Sequence, residues 1–182
     1  MKKIGGSAAI IIIALSSFML SGCWGVDHNF TQIKDSILSQ ICRDNHFNAD
    51  TEFGLGSIGL AAARTAVGFS HDKDARLAKE ILSDVSRVQV GVYKNIYRDG
   101  DLNMAFLKKL DSKMGNYGWN CILKNYDHGE ASSVYVKYDG EEITNLFVIS
   151  IEQNQVTLVE VEGNLTSAAL TVIREKNINI DL

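Results

Sequence analysis

Few residues of this chain have types and spacing that could do chemistry, and the clearest set is Leu20-Ser21-Gly22-Cys23. A cysteine directly after small residues, at the end of an apolar leader, is typical of the cleavage and lipidation box of bacterial lipoproteins. The leader begins with two lysines after Met1, and residues 8–20 are apolar apart from two serines. A membrane-spanning helix would need about 20 apolar residues, which this run does not supply. We therefore expect residues 1–22 to be removed as a signal peptide and Cys23 to be lipidated.

Lipidation would attach a diacylglycerol to the Cys23 thiol through a thioether and an acyl chain to the new amino terminus. Each buried methylene contributes about 0.8 kcal/mol, so two or more chains make a stable membrane anchor. The next residues, Trp24 and Gly25, do not indicate whether the inner or the outer membrane holds the lipid. Residues 23–29 form only a short tether, so we expect the folded part to face the periplasm close to the bilayer.

Two other sets of residues have a spacing that chemistry could use, and both also have a structural interpretation. Gly54, Gly56 and Gly59 have the spacing of a dinucleotide-binding loop, but the strand before them would be short. Asp127-His128-Gly129-Glu130 would place two acids and an imidazole together, but aspartate and glycine between strands are typical of a turn. The four histidines show no spacing typical of a zinc site. We therefore predict no enzymatic activity, no metal and no cofactor.

Two cysteines remain after lipidation, Cys42 and Cys121, in a compartment that permits disulfides. A bridge between them would stabilise the fold by about 4 kcal/mol on the chain-entropy model. Cys42 also continues the apolar stripe of a predicted helix, where a free thiol packs as a small hydrophobic group. The sequence is compatible with either state.

Length and charge limit the classes of protein and partner. Removal of the leader from the 182 residues leaves 160, which suits a single domain over residues 30–182. This mature chain has 16 basic and 22 acidic residues, a net charge of −6 with neutral histidines. Nucleic acids and anionic head groups bind basic patches, so we expect no nucleic-acid partner.

Hydrophobic periodicity predicts the elements of this domain. Helical spacing occurs in Phe30–Cys42, Asp72–Val85, Asp101–Met114 and Ser167–Glu175, and the small residues of Ile58–Val67 suit helical packing. Strand-like segments are Thr51–Ser57, residues 88–95, and a meander of Trp119–Tyr126, Ser132–Tyr138, Ile143–Glu152 and Gln155–Val161. Runs of consecutive strands favour an α+β fold. We expect a mainly antiparallel sheet of about five strands with three to four helices packed on one face.

Aromatic residues concentrate in the strand-rich half of the chain. Tyrosine and tryptophan are enriched where proteins bind each other, which makes these side chains a candidate interaction surface. The same residues could instead be cross-strand pairs that stabilise a half-buried sheet. The five candidates are Tyr93, Trp119, Tyr126, Tyr135 and Tyr138.

The strand-rich half also resembles a known family. Val134–Lys137, Leu146–Ile149 and above all Thr157–Asn164, with the sequence TLVEVEGN, are similar to uncharacterised bacterial lipoproteins that carry a domain of unknown function. The resemblance spans roughly residues 51–173. It implies a compact α+β domain on an envelope lipoprotein with no established enzymatic activity. It carries no catalytic or binding residue over to this chain.

Together these patterns lead to one expected function and one alternative. We expect a non-enzymatic lipoprotein, anchored at Cys23 and facing the periplasm, whose sheet face or edge binds another envelope protein. The alternative is a carrier or sensor that encloses a small apolar ligand or a lipid between sheet and helices.

Overall fold

The computed structural model describes residues 25–41, 48–68, 82–94 and 104–167. The lipidation box, Cys42 and most of the helices expected at Asp72–Val85 and Ser167–Glu175 lie outside these residues. The described helices are α1 (His28–Ile41), α2 (Ser57–Gly68) and α3 (Met104–Asn116), with helical turns at residues 82–84 and 165–167. Within the described part of the chain, no helix is long and apolar enough to cross a membrane.

Six strands form a single sheet in which every neighbouring pair is antiparallel. They are β1 (Asn48–Leu55), β2 (Val85–Lys94), β3 (Asn120–Asp127), β4 (Glu130–Asp139), β5 (Glu142–Ile151) and β6 (Gln155–Gly163), in the order β1-β2-β6-β5-β4-β3. The predicted α+β class is therefore confirmed, but the expected count of about five strands is wrong. β1 completes the sheet although it contains an alanine, a glycine and three polar residues that favour strands weakly, because its ladder to β2 holds it.

The two faces of the sheet are both apolar, and helices cover both. On what we call the core face, α1 and α3 pack over side chains that include Tyr93, Phe147 and Leu158. On the opposite face, α2 contributes Leu60 to a smaller cluster with Val85 and Leu165. The prediction of helices on one face only is therefore wrong. In the central strands, residues that point to either face of the sheet are mostly apolar, so helices must cover both faces.

The TLVEVEGN segment ends β6 and has a structural explanation. Gly163 has a φ of +151°, and a Cβ at this position would lie 2.0 Å from the carbonyl oxygen of Asp84. Only glycine fits there without displacing backbone. Asn164 follows: its N–H donates to the same Asp84 oxygen at 2.8 Å, and its side-chain oxygen accepts from the Ser167 N–H at 3.1 Å. The pair therefore joins β6 to the chain before β2 and caps the helical turn at residues 165–167.

Candidate interaction surface

Burial divides the five candidate aromatic residues into two groups. Tyr93 and Tyr135 are fully buried and Trp119 is 3% exposed. The Trp119 ring contacts Phe147 edge to face, with 5.4 Å between the ring centroids. These three residues belong to the core under α1 and α3, so the prediction that they form an exposed surface is wrong. Strand alternation assigns side chains to a common face, but it does not reveal which face helices will cover.

The Tyr93 hydroxyl has a structural partner in the neighbouring strand. It donates a hydrogen bond of 2.6 Å to Glu52 Oε2, and Lys34 Nζ of α1 lies 3.3 Å from the same oxygen. Burial, and then the hydrogen bond to Glu52, raises the pKa of Tyr93 far above its ordinary value. The hydroxyl therefore stays protonated and links β2 to β1 and, through Lys34, to α1.

The Tyr135 hydroxyl makes the equivalent link to α3. It donates a hydrogen bond of 2.9 Å to Asp111 Oδ1, while the Lys124 ammonium of β3 pairs with the other oxygen of that carboxylate. Burial is again the largest cause of a raised tyrosine pKa, followed by the bond to Asp111. Both tyrosines thus act as buried hydrogen-bond donors that connect the helices to the sheet.

The two exposed aromatic residues, Tyr126 and Tyr138, do not share a patch. They are 40% and 49% exposed, respectively. Tyr126 pairs with Ala131 at one end of β4, and Tyr138 lies seven residues further along that strand. At about 3.3 Å per residue they are roughly 23 Å apart. An aromatic interaction surface built from all five residues is therefore not formed.

The edge strand β3 exposes a surface that the sequence analysis did not single out. Ile122 and Leu123 are 55% and 54% exposed. β3 is the last strand in the sheet order, so within the described residues its outer backbone groups have no neighbouring strand. The register shifts between Cys121 and Leu123, which makes Ile122 the extra residue of a bulge. Two adjacent apolar residues in an otherwise polar strand were the available sequence signal.

Leu123 also ends an apolar row that crosses the whole sheet. The strand registers place one residue of every strand side by side on the face opposite the core face. The row consists of Phe53, Val90, Val159, Val148, Val134 and Leu123. Its first five members are half-buried, and Leu123 at the β3 edge is exposed. A strand added beside β3 could extend this row and bury the leucine.

The opposite edge, β1, has a different character. It carries two acidic residues, Asp50 and Glu52, and Asp50 Oδ2 lies 2.9 Å from Lys94 Nζ of the neighbouring strand β2. The register also shifts between Ala49 and Thr51. Charges and bulges are devices by which natural sheets discourage pairing at an edge. β3 also has a bulge and two charged residues, Lys124 and Asp127, but of the two edges only β3 exposes large apolar side chains. β3 is therefore the edge better suited to accept another strand.

A cleft of about 410 Å³ lies at the end of the sheet where the β3–β4 and β5–β6 turns meet. It contains Asp127, His128 and Glu130, which the sequence analysis considered for metal or acid–base chemistry. Asp127 Oδ1 lies 2.6 Å from His128 Nδ1, but both side chains are largely exposed. His128 and Gly129 both have positive φ, as a two-residue hairpin turn requires. Among the described residues, no group of three or more histidine, cysteine, aspartate or glutamate side chains could hold a metal ion.

The one buried carboxylate of the described residues lies elsewhere, in β6. Glu160 is 3% exposed and accepts a hydrogen bond of 3.1 Å from Gln89 Nε2. Burial raises its pKa to about 7, and the carboxylates of Glu162 and Asp27 add to the increase. The cations of Lys137 and Arg87 act in the opposite direction. Sequence reasoning missed this residue because Gln89 is 71 positions away in the chain.

The predicted lipidation and disulfide residues have different positions relative to the described structure. Cys23 and Cys42 lie outside the described residues. Cys121 is exposed on β3 and forms no disulfide with another described residue, and partial desolvation raises the pKa of its thiol. Both the lipidation of Cys23 and the pairing of Cys42 with Cys121 stay predictions.

Comparison with known proteins places the chain in a family without assigning an activity. No curated protein matches it. A family model, the domain of unknown function DUF4252, matches residues 59–173, which is more than half of the chain. The match begins inside α2 and includes β2 to β6, so it confirms the family resemblance expected from the strand-rich half. The chain belongs to the DUF4252 family.

Proposed function

We propose that this protein is a lipid-anchored, non-enzymatic envelope protein that faces the periplasm and binds a protein partner through the edge of β3. The anchor is supported by the apolar leader and by the small residues before Cys23. The proposed binding mode is strand addition, in which a strand of the partner pairs with β3 and extends the sheet.

The exposed, apolar edge of β3 is the observation that carries this proposal. Leu123–Asn125 pairs in regular register with β4 beyond the bulge, and no described strand pairs with the other side of this stretch. Main-chain hydrogen bonds to such groups supply affinity, and side-chain contacts supply specificity. Full burial of a side chain such as Ile122 or Leu123 contributes about 1.5–3 kcal/mol, of which roughly half is still available at their exposure. The edge thus combines a backbone template with an apolar contact.

The contacts of the titratable residues support a binding role over catalysis. The hydroxyls of Tyr93 and Tyr135 hold carboxylates that are themselves paired with lysines, and His128 forms part of a turn. The carrier alternative has less support. Side chains that are 0–5% exposed fill the layer between the sheet and helices α1 and α3, and the cleft at the end of the sheet has a mainly polar lining.

In-cell photo-cross-linking tests the proposal. A photoreactive amino acid at position 123 should trap one dominant envelope protein. The same photoreactive amino acid in place of Thr51, which is exposed on the β1 edge, should not trap it. In the Cys23→Ala version the adduct should be lost or greatly reduced, because the protein would no longer be held at the membrane. Equal adducts at positions 123 and 51, or none at either, would contradict the β3 interface.

A further inference from the structure

The residues closest to the predicted anchor are fastened to the sheet. The carbonyl oxygen of Gly25 lies 2.7 Å from where a Cβ of Gly54 would be, so only a glycine in β1 permits this approach. The Asp27 N–H donates to Gln89 Oε1 at 2.6 Å, and Arg87 Nη1 lies 2.5 Å from Asp27 Oδ2. The chain therefore has a fixed position on the domain from Gly25 onward.

This attachment limits where the lipid can be. Cys23 precedes Gly25 by two residues. An extended chain spans at most about 3.6 Å per residue, so the acylated cysteine lies within roughly 7 Å of Gly25. The carboxyl end of β1, where Gly54 lies, must therefore be near the bilayer surface. The strand leads from there directly into α2, which begins at Ser57.

The outward face of α2 is uncharged and mostly apolar, which is unusual for a helix that packs on a sheet. Ile58 is 84% exposed, more than any other large hydrophobic residue of the described chain. Ala61, Ala62 and Thr65 are exposed as well, and with Ile58 they occupy positions i, i+3, i+4 and i+7 of one helical face. The outer face of such a helix ordinarily carries charged and polar side chains.

The only charged residue of α2 does not reach this face. Arg64 Nε donates to the Leu82 carbonyl oxygen at 2.8 Å, and its Nη2 donates to the Val85 carbonyl oxygen at 2.6 Å. Its side chain is thereby held toward the start of β2. The exposed face of α2 is left with no formal charge, so contact with lipid would bury no ion.

We infer that the outer face of α2, led by Ile58, lies on the lipid bilayer and inserts the Ile58 side chain at the boundary between head groups and acyl chains. This inference rests on the proposed lipidation of Cys23. A bilayer is the occupant favoured by the structure, because the proposed anchor lies within roughly 7 Å of Gly25, which contacts the end of β1 that leads into α2. An uncharged contact face also predicts that the contact does not need anionic lipid.

Photo-cross-linking to lipid tests the inference in the full mature protein. The lipidated protein is inserted into vesicles of phosphatidylethanolamine and phosphatidylglycerol. A fraction of these lipids carries a detectable tag on one acyl chain. A photoreactive amino acid stands at position 58 or, as the matched control, at position 154, an exposed residue in the turn at the opposite end of the sheet. We expect at least several-fold more lipid adducts at position 58, with the same yield when phosphatidylcholine replaces phosphatidylglycerol.

The outcomes separate this inference from the proposed anchor. Mass spectrometry of the amino-terminal peptide first shows whether Cys23 carries a diacylglycerol, and its absence would remove the basis of both. An acylated protein with equal adducts at positions 58 and 154, or with a protein rather than lipid trapped at position 58, would overturn the membrane contact alone. Ile58→Asp should lower the lipid adducts of a probe at position 62 several-fold, whereas Ile58→Leu should keep them.

Discussion

Glu160 differs from the other carboxylates of the described chain because it is buried in β6, an interior strand of the sheet. Its carboxyl accepts one hydrogen bond, from Gln89, and its pKa rises to about 7 because burial disfavours the charged form. The side-chain oxygen of Gln89 in turn accepts a hydrogen bond from the Asp27 N–H in the tether. Gln89 thereby connects the carboxyl of Glu160 to the segment that follows the proposed lipidation site.

The stability of the protein should fall as the pH rises through 7. The folded-state pKa of Glu160 lies above the ordinary value of 4.5, so the folded protein binds this proton more tightly than the unfolded chain does. Its contribution is present in full below about pH 4.5 and is lost above about pH 7. Glu160→Gln should therefore stabilise the protein by on the order of 2–3 kcal/mol at about pH 8 and change little at about pH 5. Urea unfolding of the unlipidated Cys23→Ala protein measures both.

The matched control for this experiment is Glu152→Gln, because Glu152 is exposed at the end of the sheet. That substitution should leave the stability unchanged within about 0.5 kcal/mol at either pH. If Glu160→Gln gave the same difference from the parent protein at both pH values, the carboxyl would not be the titrating group.

Gly163 provides a second test at the scale of one residue. A Cβ here would meet the Asp84 carbonyl oxygen at 2.0 Å and Val85 Cα at 2.8 Å, so backbone must move. Overpacking costs about 1–3 kcal/mol and an unfavourable φ a similar amount, so Gly163→Ala should destabilise the protein by about 3 kcal/mol. In thermal unfolding Gly56→Ala is the control, since no atom lies within 4 Å of its Cβ position. Equal melting temperatures for the two variants would refute this explanation of the TLVEVEGN segment.

At the scale of elements, α1 supplies much of the core although it lies outside the residues that match the family. Its buried side chains recur with helical spacing: Phe30, Ile33, Ile37, Leu38 and Ile41. They pack on the core face of the sheet against residues from β2, β4, β5 and β6. The helix is therefore part of the domain and not an extension of the tether.

Ile37→Ala should test that role of α1. Ile37 is 1% exposed, and truncation of a buried isoleucine to alanine costs about 2–5 kcal/mol. Gln32→Ala, at an exposed position of the same helix, should change the stability by less than about 0.5 kcal/mol. Denaturant unfolding compares the two. Equally small losses would mean that α1 does not pack on the sheet in solution.

At the scale of the whole molecule, the family-matched residues do not include a complete core. A chain shortened to residues 59–173 lacks α1 and β1, which leaves β2 as an edge and removes the cover of Tyr93. Each large side chain that loses its burial costs about 1.5–3 kcal/mol, so losing the contacts with the five buried residues of α1 alone is comparable to the usual net stability of about 5–15 kcal/mol.

We therefore expect the chain of residues 59–173 not to fold cooperatively, whereas residues 25–182 fold with a single transition. Near-ultraviolet circular dichroism reports the packing of Trp119 against Phe147 and distinguishes the two. A native signal from the shorter chain, with one sharp transition, would show that α1 and β1 are dispensable.

Much of the element order follows from local patterns. The four meander strands were predicted to within about two residues of β3 to β6, and α1 was predicted as the helical segment Phe30–Cys42, whose helical spacing matches its buried face. These features depend on alternation, helical spacing and turn residues such as Asp139-Gly140, all of which act between near neighbours in the chain. The leader and the cysteine at its end are likewise local signals.

What only the tertiary structure decided concerns neighbours distant in sequence. The sheet order places β6 between β2 and β5 and leaves β3 at an edge, where Ile122 and Leu123 are exposed. The fold also buries Tyr93, Trp119 and Tyr135 in the core. Alternation within a strand is symmetric between the two faces of a sheet, so the sequence alone did not determine which face α1 and α3 cover. The same reason hid the contact of Gln89 with Glu160 and the position of the tether on Gly54, since each depends on strands brought together by the fold.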